Sequence, residues 1–192
     1  MPQPDHVVKV GLPPEEQLDA DIHAYFGKCR EKLGLVPNVL RAYTGNPAKF
    51  RAFAAFYNQL MLDEDACALS KLEREMIAVV VSSANRCYYC LVAHGQAVRE
   101  LSGDPELGEM MVMNYRIAEL EPRQKAMLDF AWTLTLSPDA VGETDRQRLR
   151  DVGFSDRDIF DICDVAAFFN YTNRMAHGLE MIPNREYHAM SR

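Results

Sequence analysis

The sequence lacks the features that mark membrane proteins and nucleic-acid-binding proteins. No apolar run comes near the roughly 18 residues of a membrane-spanning helix, and no charged-then-apolar leader follows Met1. Lysine and arginine form no cluster, and the formal net charge is −7 with a sequence pI of about 5.2. A protein that binds a polyanion needs a basic surface. We therefore expect a cytoplasmic protein with no membrane partner and no nucleic-acid partner.

The number of cysteines is small and odd, which argues against a disulfide framework. In a reducing compartment such a set fits a reactive pair accompanied by free thiols. The 192 residues are enough for one hydrophobic core, and no shift in composition separates two units. We expect a single domain over residues 1–192. The five cysteines are Cys29, Cys67, Cys87, Cys90 and Cys163.

Helix start and stop signals recur along the whole chain. Pro14-Glu15-Glu16 opens the first predicted helix, and Gly34 ends it. Ser70-Lys71-Leu72-Glu73 and Ser155-x-x-Asp158 are capping boxes, each in front of an apolar run. Residues 76–81 would also suit a buried strand, but the cap before them and the lack of a second strand favour a helix. The sequence therefore predicts an all-α fold.

Two cysteines and a histidine share one helical face in the stretch Cys87-Tyr88-Tyr89-Cys90-Leu91-Val92-Ala93-His94. Residues three and four apart are neighbours on a helix, so Cys90 lies within reach of both Cys87 and His94. An imidazolium or a helix N-terminus lowers the pKa of a nearby thiol. Asn85-Arg86 interrupts the apolar run, so a new helix can begin near the first cysteine. The pattern predicts a redox-active thiol pair with a base beside it.

A carboxylate stands 12 residues before the first cysteine, at Glu75. Along one unbroken helix it would lie about 18 Å from Cys87. Contact with His94 therefore requires two helices that fold back on each other at Asn85-Arg86. In that arrangement the carboxylate meets the imidazole and relays its proton.

The spacing Glu75-(x)11-Cys87-x-x-Cys90-x-x-x-His94 resembles the signature of the alkylhydroperoxidase D family, within the carboxymuconolactone decarboxylase superfamily. The chain most resembles the branch called peroxidase-related enzymes, and the core of the match covers residues 47–101. The resemblance implies a helical bundle and a peroxiredoxin-type alkylhydroperoxidase. It also implies that Cys90 attacks the hydroperoxide, that Cys87 resolves the product, and that Glu75 and His94 relay the proton.

The same resemblance implies a partner that supplies electrons, and this chain differs from the best-studied members at one position of the motif. Relatives draw electrons from a thiol reductant, a dihydrolipoamide-bearing protein, and for this chain we expect no cofactor and no bound metal. The best-studied members carry a further relay histidine directly before the second cysteine, where this chain has Tyr89. Tyrosine donates a hydrogen bond but titrates near 10. We therefore expect the proton relay to work differently here.

Four further residues are candidates for the pocket around the motif. Tyr88 and Tyr89 lie within it, where each either packs or points a hydroxyl into the site. Asn173 and His177 lie one turn apart near the end of the last long predicted helix. They either line the pocket or form the helix end, where His177 complements the helix dipole next to Gly178.

Two other functions compete with the peroxidase. In the first, Cys87, Cys90 and His94 hold a structural zinc ion, although a fourth ligand is not evident in the sequence. In the second, the protein is a lyase or isomerase like the decarboxylase members of the superfamily. Those members lack the cysteine pair, so the presence of both cysteines counts against this alternative.

Apolar residues exceed what one small helical domain hides, which predicts a homo-oligomer. The surplus lies in residues 50–61, residues 110–113 and Phe168-Phe169, and an N-terminal arm at residues 1–13 would lie across a neighbour. Members of the resembled superfamily commonly form trimers or hexamers, so we expect a hexamer assembled from dimers. The shared order of elements in residues 70–101 and 122–178 also fits a decayed internal repeat.

Overall fold

The computed structural model describes residues 3–192, and this range contains nine α-helices and no β-strand, so the predicted all-α fold is confirmed. Short 3-10 helices and one π-helical turn, Asn58–Leu62, complete the secondary structure. The α-helices are α1 (Ala20–Leu33), α2 (Asn38–Ala42), α3 (Pro47–Tyr57), α4 (Lys71–Ala84), α5 (Tyr88–Ser102), α6 (Pro105–Asn114), α7 (Pro122–Leu136), α8 (Glu143–Asp151) and α9 (Asp156–Gly178).

Local signals fix most helix ends where the sequence places them. The Ser70 hydroxyl accepts from the Glu73 N–H at 3.2 Å while the Glu73 carboxylate accepts from the Ser70 N–H at 2.9 Å. The same reciprocal pair forms at Ser155 and Asp158. Gly34 ends α1 in the left-handed conformation, with φ +73°, where glycine meets no steric penalty. Both predicted capping boxes are therefore confirmed.

The first predicted helix begins later than the sequence signal suggests. Glu15–Gln17 form only a 3-10 helix, and α1 begins at Ala20. Leu18 and Asp19 are extended, with ψ near 150°, which separates the two segments. Proline and acidic residues favour any helical first turn, so they mark where a turn can start but do not make it propagate.

Helix α4 forms the centre of the bundle. Residues 76–81 are completely buried, and α4 packs against α5, α6, α7 and α9. A helix that is apolar on every side is stable only when other elements surround it. The choice of a helix for this β-branched run is therefore confirmed, and the central position gives Glu75 a rigid support.

The N-terminal residues pack on their own chain, which corrects the prediction of an arm without an internal partner. The Lys9 N–H donates to the Leu179 carbonyl at 2.9 Å, and the Ile182 N–H donates to the Val7 carbonyl at 3.1 Å. Val8 is buried beneath them. The pairing joins residues far apart in sequence, so local patterns did not reveal it. Met1 and Pro2 lie outside the described residues.

The predicted surplus of apolar surface is smaller than expected. Phe168 and Phe169 are both buried in the core of their own chain, so this part of the expectation was wrong. Met111 is buried as well, whereas Met113 is 80% exposed and Phe160 is 68% exposed.

Among residues 3–192, no helix is long and apolar enough to cross a membrane.

Candidate active site

The turn between α4 and α5 brings the predicted motif together. Asn85 ends α4, Arg86 is left-handed with φ +54°, and Cys87 is the N-cap of α5. The Cys87 N–H donates to the Ser82 carbonyl at 2.9 Å, which closes the turn. The two helices pack directly against each other, so the predicted fold-back at Asn85-Arg86 is confirmed.

This fold-back joins Glu75 of α4 to His94 of α5. The Glu75 carboxylate and the His94 Nδ1 lie 2.6 Å apart, and about nine-tenths of each side chain is buried (11% and 12% exposed). The edge of the His94 ring meets Phe169, with ring centroids 4.6 Å apart. When Nδ1 donates to the carboxylate, Nε2 is the nitrogen left to exchange a proton with another group.

The two thiols of the motif are buried, and their pKa values move in opposite directions. Cys87 is 1% exposed and Cys90 is 3% exposed. A hydrogen bond from the Cys90 thiol lowers the pKa of Cys87 to about 7, against burial, which raises it; the Cys90 N–H and the charges of His177 and His94 lower it further. The same hydrogen bond, together with burial, raises the pKa of Cys90 well above its usual value.

The pKa of Cys87 is therefore lower than the pKa of Cys90. Cys87 is the N-cap of α5 and its side chain makes no capping hydrogen bond there, but the dipole of the helix favours an anion at this end. The sequence predicted this effect at the first cysteine, while the family resemblance implies attack by the second.

A buried polar network supports the thiols from α4 and α9. The Asn173 side chain is completely buried; it donates to the Ser82 hydroxyl at 3.0 Å and accepts from the Asn85 amide at 2.9 Å. Hydrogen bonds from Asn173 and Ser82 oppose the upward shift in the pKa of Cys90. The Cys87 sulfur lies 4.0 Å from the Asn173 carbonyl oxygen. Asn173, a predicted pocket candidate, thus lies directly at the thiols.

Ser82 was not predicted as a site residue, although its spacing from Glu75 indicates that it faces the site. Ser82 follows Glu75 by seven residues, which is two helical turns, so both side chains lie on the same face of α4. A polar residue on the face that carries the candidate carboxylate, inside an otherwise apolar helix, marks the side of the helix that meets the thiols.

The other three pocket candidates lie at the margins of the site. Tyr89 is buried, and its hydroxyl accepts from the Val39 N–H at 2.9 Å. Tyr88 is 55% exposed, and its hydroxyl lies 3.4 Å from the His188 Nε2. His177 is exposed at the helix end, where its Nε2 lies 3.1 Å from the Asn85 carbonyl oxygen.

The geometry gives no support to the alternative zinc site. Among residues 3–192, no group of three histidine, cysteine, aspartate or glutamate side chains converges to hold a metal ion. His94 directs its Nδ1 to Glu75 instead.

Two surface cavities lie away from the thiols. One of about 320 Å³ lies beside α8 and is lined by residues 143–151, and one of about 220 Å³ lies between residues 4–6, Asn38 and residues 182–186.

Comparison with known proteins places this site in a recognised group. Residues 47–131 match the carboxymuconolactone decarboxylase family. An uncharacterized peroxidase-related protein from Silicibacter sp. TM1040 is 57% identical over 100% of both chains, with a TM-score of 0.95. A structure from Ralstonia eutropha JMP134, described as an alkylhydroperoxidase AhpD core and an uncharacterized peroxidase-related protein, is 40% identical over 98% of both chains, with a TM-score of 0.94.

A more distant solved structure shares only the fold. The debrominase Bmp8, solved in complex with 2,3,4-tribromopyrrole, is 17% identical over 97% of this chain and 95% of its own, with a TM-score of 0.77. No curated protein matches the chain at a significant level.

Proposed function

Because the chain belongs to the carboxymuconolactone decarboxylase family, and within it to the alkylhydroperoxidase D-like, peroxidase-related proteins, we propose that it is a thiol-dependent hydroperoxidase. One observation carries the proposal: a Glu75–His94 pair at 2.6 Å lies on the same two packed helices whose connecting turn holds the buried Cys87 and Cys90 thiols. A thiolate is the sulfur species that attacks an O–O bond. A carboxylate–imidazole pair can move a proton at neutral pH. Reduction of a hydroperoxide needs both.

In the proposed reaction Cys90 attacks, as the family resemblance implies. A proton first passes from Cys90 to Cys87, because the pKa of Cys87 is the lower of the two. At a given thiolate population, a sulfur of higher pKa is the stronger nucleophile. The Cys90 thiolate attacks the terminal peroxide oxygen, the O–O bond breaks, and the alkoxide leaves with the electron pair. The Glu75–His94 pair supplies one proton from solvent, which converts the alkoxide into an alcohol.

The second step closes a disulfide. The Cys87 thiol condenses with the Cys90 sulfenic acid and releases water. The overall reaction consumes one thiolate, one thiol, one hydroperoxide and one proton, and it yields one disulfide, one alcohol and one water. A dithiol must then reduce the disulfide, and we propose a dihydrolipoamide-bearing protein in the cytoplasm as the donor. No cofactor is needed for either step.

Assembly into a homo-oligomer, as a hexamer or a dimer, is also proposed. Exposed apolar side chains support it, above all Met113, Phe160 and Ile117, which is 63% exposed. Clusters of apolar side chains on a surface often mark contacts between subunits. Light scattering at micromolar concentration should give a multiple of 21.8 kDa. A mass of one chain that persists on concentration would contradict the proposal.

The direct test of function is hydroperoxide consumption with dihydrolipoamide as reductant. We expect turnover by the wild type and none above background with Cys90→Ser. Cys163→Ser is the matched control, because Cys163 is a partly exposed thiol of α9 away from the motif. Equal turnover by the wild type and Cys90→Ser, or no turnover by the wild type with any hydroperoxide or dithiol, would overturn the assignment.

A further inference from the structure

The two thiols of the motif are covered by residues that lie outside the main core. Cys87 is 1% exposed and Cys90 is 3% exposed. Together with Tyr89 they form a small apolar cluster, separate from the core that surrounds α4. The other buried members of the small cluster are Val8, Ala176 and Met181, and the residues packed against it include Val7, Leu12 and Leu179. Residues near both ends of the chain therefore help to bury the thiols.

The N-terminal part of this cover, residues 3–12, is packed loosely. It contains no helix, and Val8 is its one buried residue. The cavity of about 220 Å³ lies at its edge, between residues 4–6 and residues 182–186. Little apolar surface is therefore lost when residues 3–12 move away from the rest of the chain.

Few hydrogen bonds hold residues 3–12 in place. Two backbone bonds, donated by the Lys9 N–H and the Ile182 N–H, join them to the residues that follow α9. Two further bonds involve the side chains of His6 and Arg185 and lie at exposed positions, where water competes for them. A segment with few buried contacts and few hydrogen bonds opens at a much lower cost than the whole protein unfolds.

The residues on the other side of this pairing include a strained position. Glu180 has a φ of +48°, in the left-handed region that residues other than glycine seldom adopt. Such a conformation persists only while the surrounding contacts hold it. Separation of residues 3–12 from residues 179–182 frees Glu180 to relax, which lowers the cost of opening further.

The other walls of the cluster are helices that the main core holds in place. Ala176 lies on α9 and Cys90 lies on α5, and both helices pack against the central helix α4. By contrast, neither Val7, Val8 nor Leu12 belongs to the main core. Residues 3–12 can therefore leave the thiols while the bundle stays folded.

Reduction of a disulfide at this site requires access to sulfur, because the attacking thiolate must touch one of the two sulfur atoms. We propose that residues 3–12 are a gate over Cys87 and Cys90, which lifts from residues 179–182 to admit the dithiol reductant. The dithiol gives two electrons and two protons to the pair and leaves as a disulfide. This role in reduction rests on the proposed function, whereas the gating of the two thiols does not.

The test compares how fast iodoacetamide alkylates each cysteine of the reduced, full-length protein, with peptide mass spectrometry as the readout. Val8→Ala removes buried methyl groups from the gate, so the closed state loses stability. We expect Cys87 to react about 5- to 30-fold faster in this variant than in the wild type. Val10→Ala is the matched control, since Val10 lies in the same segment but is 51% exposed, against 7% for Val8. It should leave the rate unchanged.

Two other cysteines serve as internal standards in the same samples. Cys67 is buried in the main core, so its alkylation reports unfolding of the whole protein. Cys29 is partly exposed on α1 and reports the activity of the reagent. Both rates should be the same in Val8→Ala and the wild type. The gate is contradicted if Cys87 in Val8→Ala stays within about twofold of the wild type, or if Cys67 accelerates as much as Cys87.

Hydrogen exchange measures the same opening without a substitution. In the wild type, the Lys9 and Ile182 amides should be protected by about the same factor as Cys87 is protected against alkylation, because one motion exposes all three. Amides of α4 should exchange far more slowly. Unprotected Lys9 and Ile182 amides beside a protected Cys87 would show that residues 3–12 move without uncovering the thiols, and the gate would be wrong.

These outcomes are independent of the peroxidase proposal. Alkylation and hydrogen exchange need no turnover, so a protein that reduces no hydroperoxide still tests the gate. With the pair oxidised to the disulfide, dihydrolipoamide should reduce Val8→Ala faster than the wild type by the same 5- to 30-fold, roughly. Equal rates of reduction would show that the dithiol reaches the pair by another route, which overturns the role of the gate in reduction.

Discussion

The turn between α4 and α5 and the apolar core both bury cysteines, but they affect the thiols in opposite ways. Burial raises the pKa of Cys29, Cys67 and Cys163, the three cysteines outside the motif. Cys87 is buried more completely than Cys29 or Cys163, yet its pKa falls to about 7. Burial alone therefore raises the pKa of a thiol and keeps it protonated, so that it does not react as a nucleophile.

The difference comes from donors. The Cys90 thiol, the Cys90 N–H at the start of α5 and the charges of His177 and His94 lower the pKa of Cys87. The three cysteines of the core have no comparable set of causes that lower the pKa. A cysteine in this protein is therefore reactive when neighbouring groups stabilise its thiolate. Substitutions that remove single groups around Cys87 and Cys90 should show what each group contributes.

The largest effect on hydroperoxide reduction should come from replacing one of the two sulfurs of the motif with oxygen. We expect Cys87→Ser to keep one round of hydroperoxide reduction and to accumulate a sulfenic acid at Cys90, because the resolving thiol is gone. Cys90→Ser should lose the reaction by about 1,000-fold or more. Mass spectrometry after dimedone trapping reads both. A sulfenic acid trapped at Cys87 in Cys90→Ser, with none in Cys87→Ser, would reverse the roles of the two sulfurs.

Removal of the carboxylate in the relay should have the next largest effect. Glu75→Gln keeps the shape but takes away the charge that orients His94 at 2.6 Å. We expect hydroperoxide reduction to slow by about 100-fold at neutral pH. Glu64→Gln is the control, since Glu64 is a surface carboxylate that pairs with Lys71 at 2.6 Å. A rate for Glu75→Gln equal to that of the control would remove Glu75 from the mechanism.

The thiolate of Cys87 can be titrated directly by its ultraviolet absorbance. One thiolate should appear with a midpoint near pH 7, and the remaining thiols should stay protonated well above that pH. Since the pKa is lowered, the thiolate is lost as pH falls through 7, and hydroperoxide reduction should slow with it. Cys90→Ala removes the donor, so the midpoint should rise toward about 8.5. Cys29→Ala should leave it unchanged; an unchanged midpoint in Cys90→Ala would show that the donor lies elsewhere.

Two neighbouring serines of α4, Ser82 and Ser83, should differ by a smaller amount in their effect on the rate of hydroperoxide reduction. The Ser82 hydroxyl accepts from Asn173 at 3.0 Å and acts to lower the pKa of Cys90, whereas the Ser83 hydroxyl donates to the Val112 carbonyl at 2.8 Å. Each change to alanine should lower the free energy of unfolding by about 1 kcal/mol. Ser82→Ala alone should slow hydroperoxide reduction, by up to about tenfold. Urea denaturation and single-turnover rates check both, and equal rates in the two variants would exclude Ser82 from the site.

Local signals explain which features the sequence predicts. The capping boxes at Ser70 and Ser155 act within one helical turn, and the contact between Glu75 and His94 follows from two helices and one turn. Such features depend on residues close together in the chain, so spacing alone is informative.

Features that depend on distant residues escaped prediction. Arg99 of α5 donates to the Tyr187 carbonyl, 88 residues further along the sequence, and the N-terminal residues pair with residues 179–182. No periodic pattern encodes contacts of this kind. The order of the two pKa values, with Cys87 below Cys90, also required the structure, because it depends on the groups that surround each sulfur.

The most direct test of the account is a thiol count before and after one equivalent of hydroperoxide is added to the reduced protein. The account predicts that two of the five thiols disappear and that peptide mapping finds them joined as Cys87–Cys90. The loss should be reversed by dihydrolipoamide. A count that stays at five, or a loss confined to Cys29, Cys67 or Cys163, would contradict the claim that this turn builds a redox-active pair.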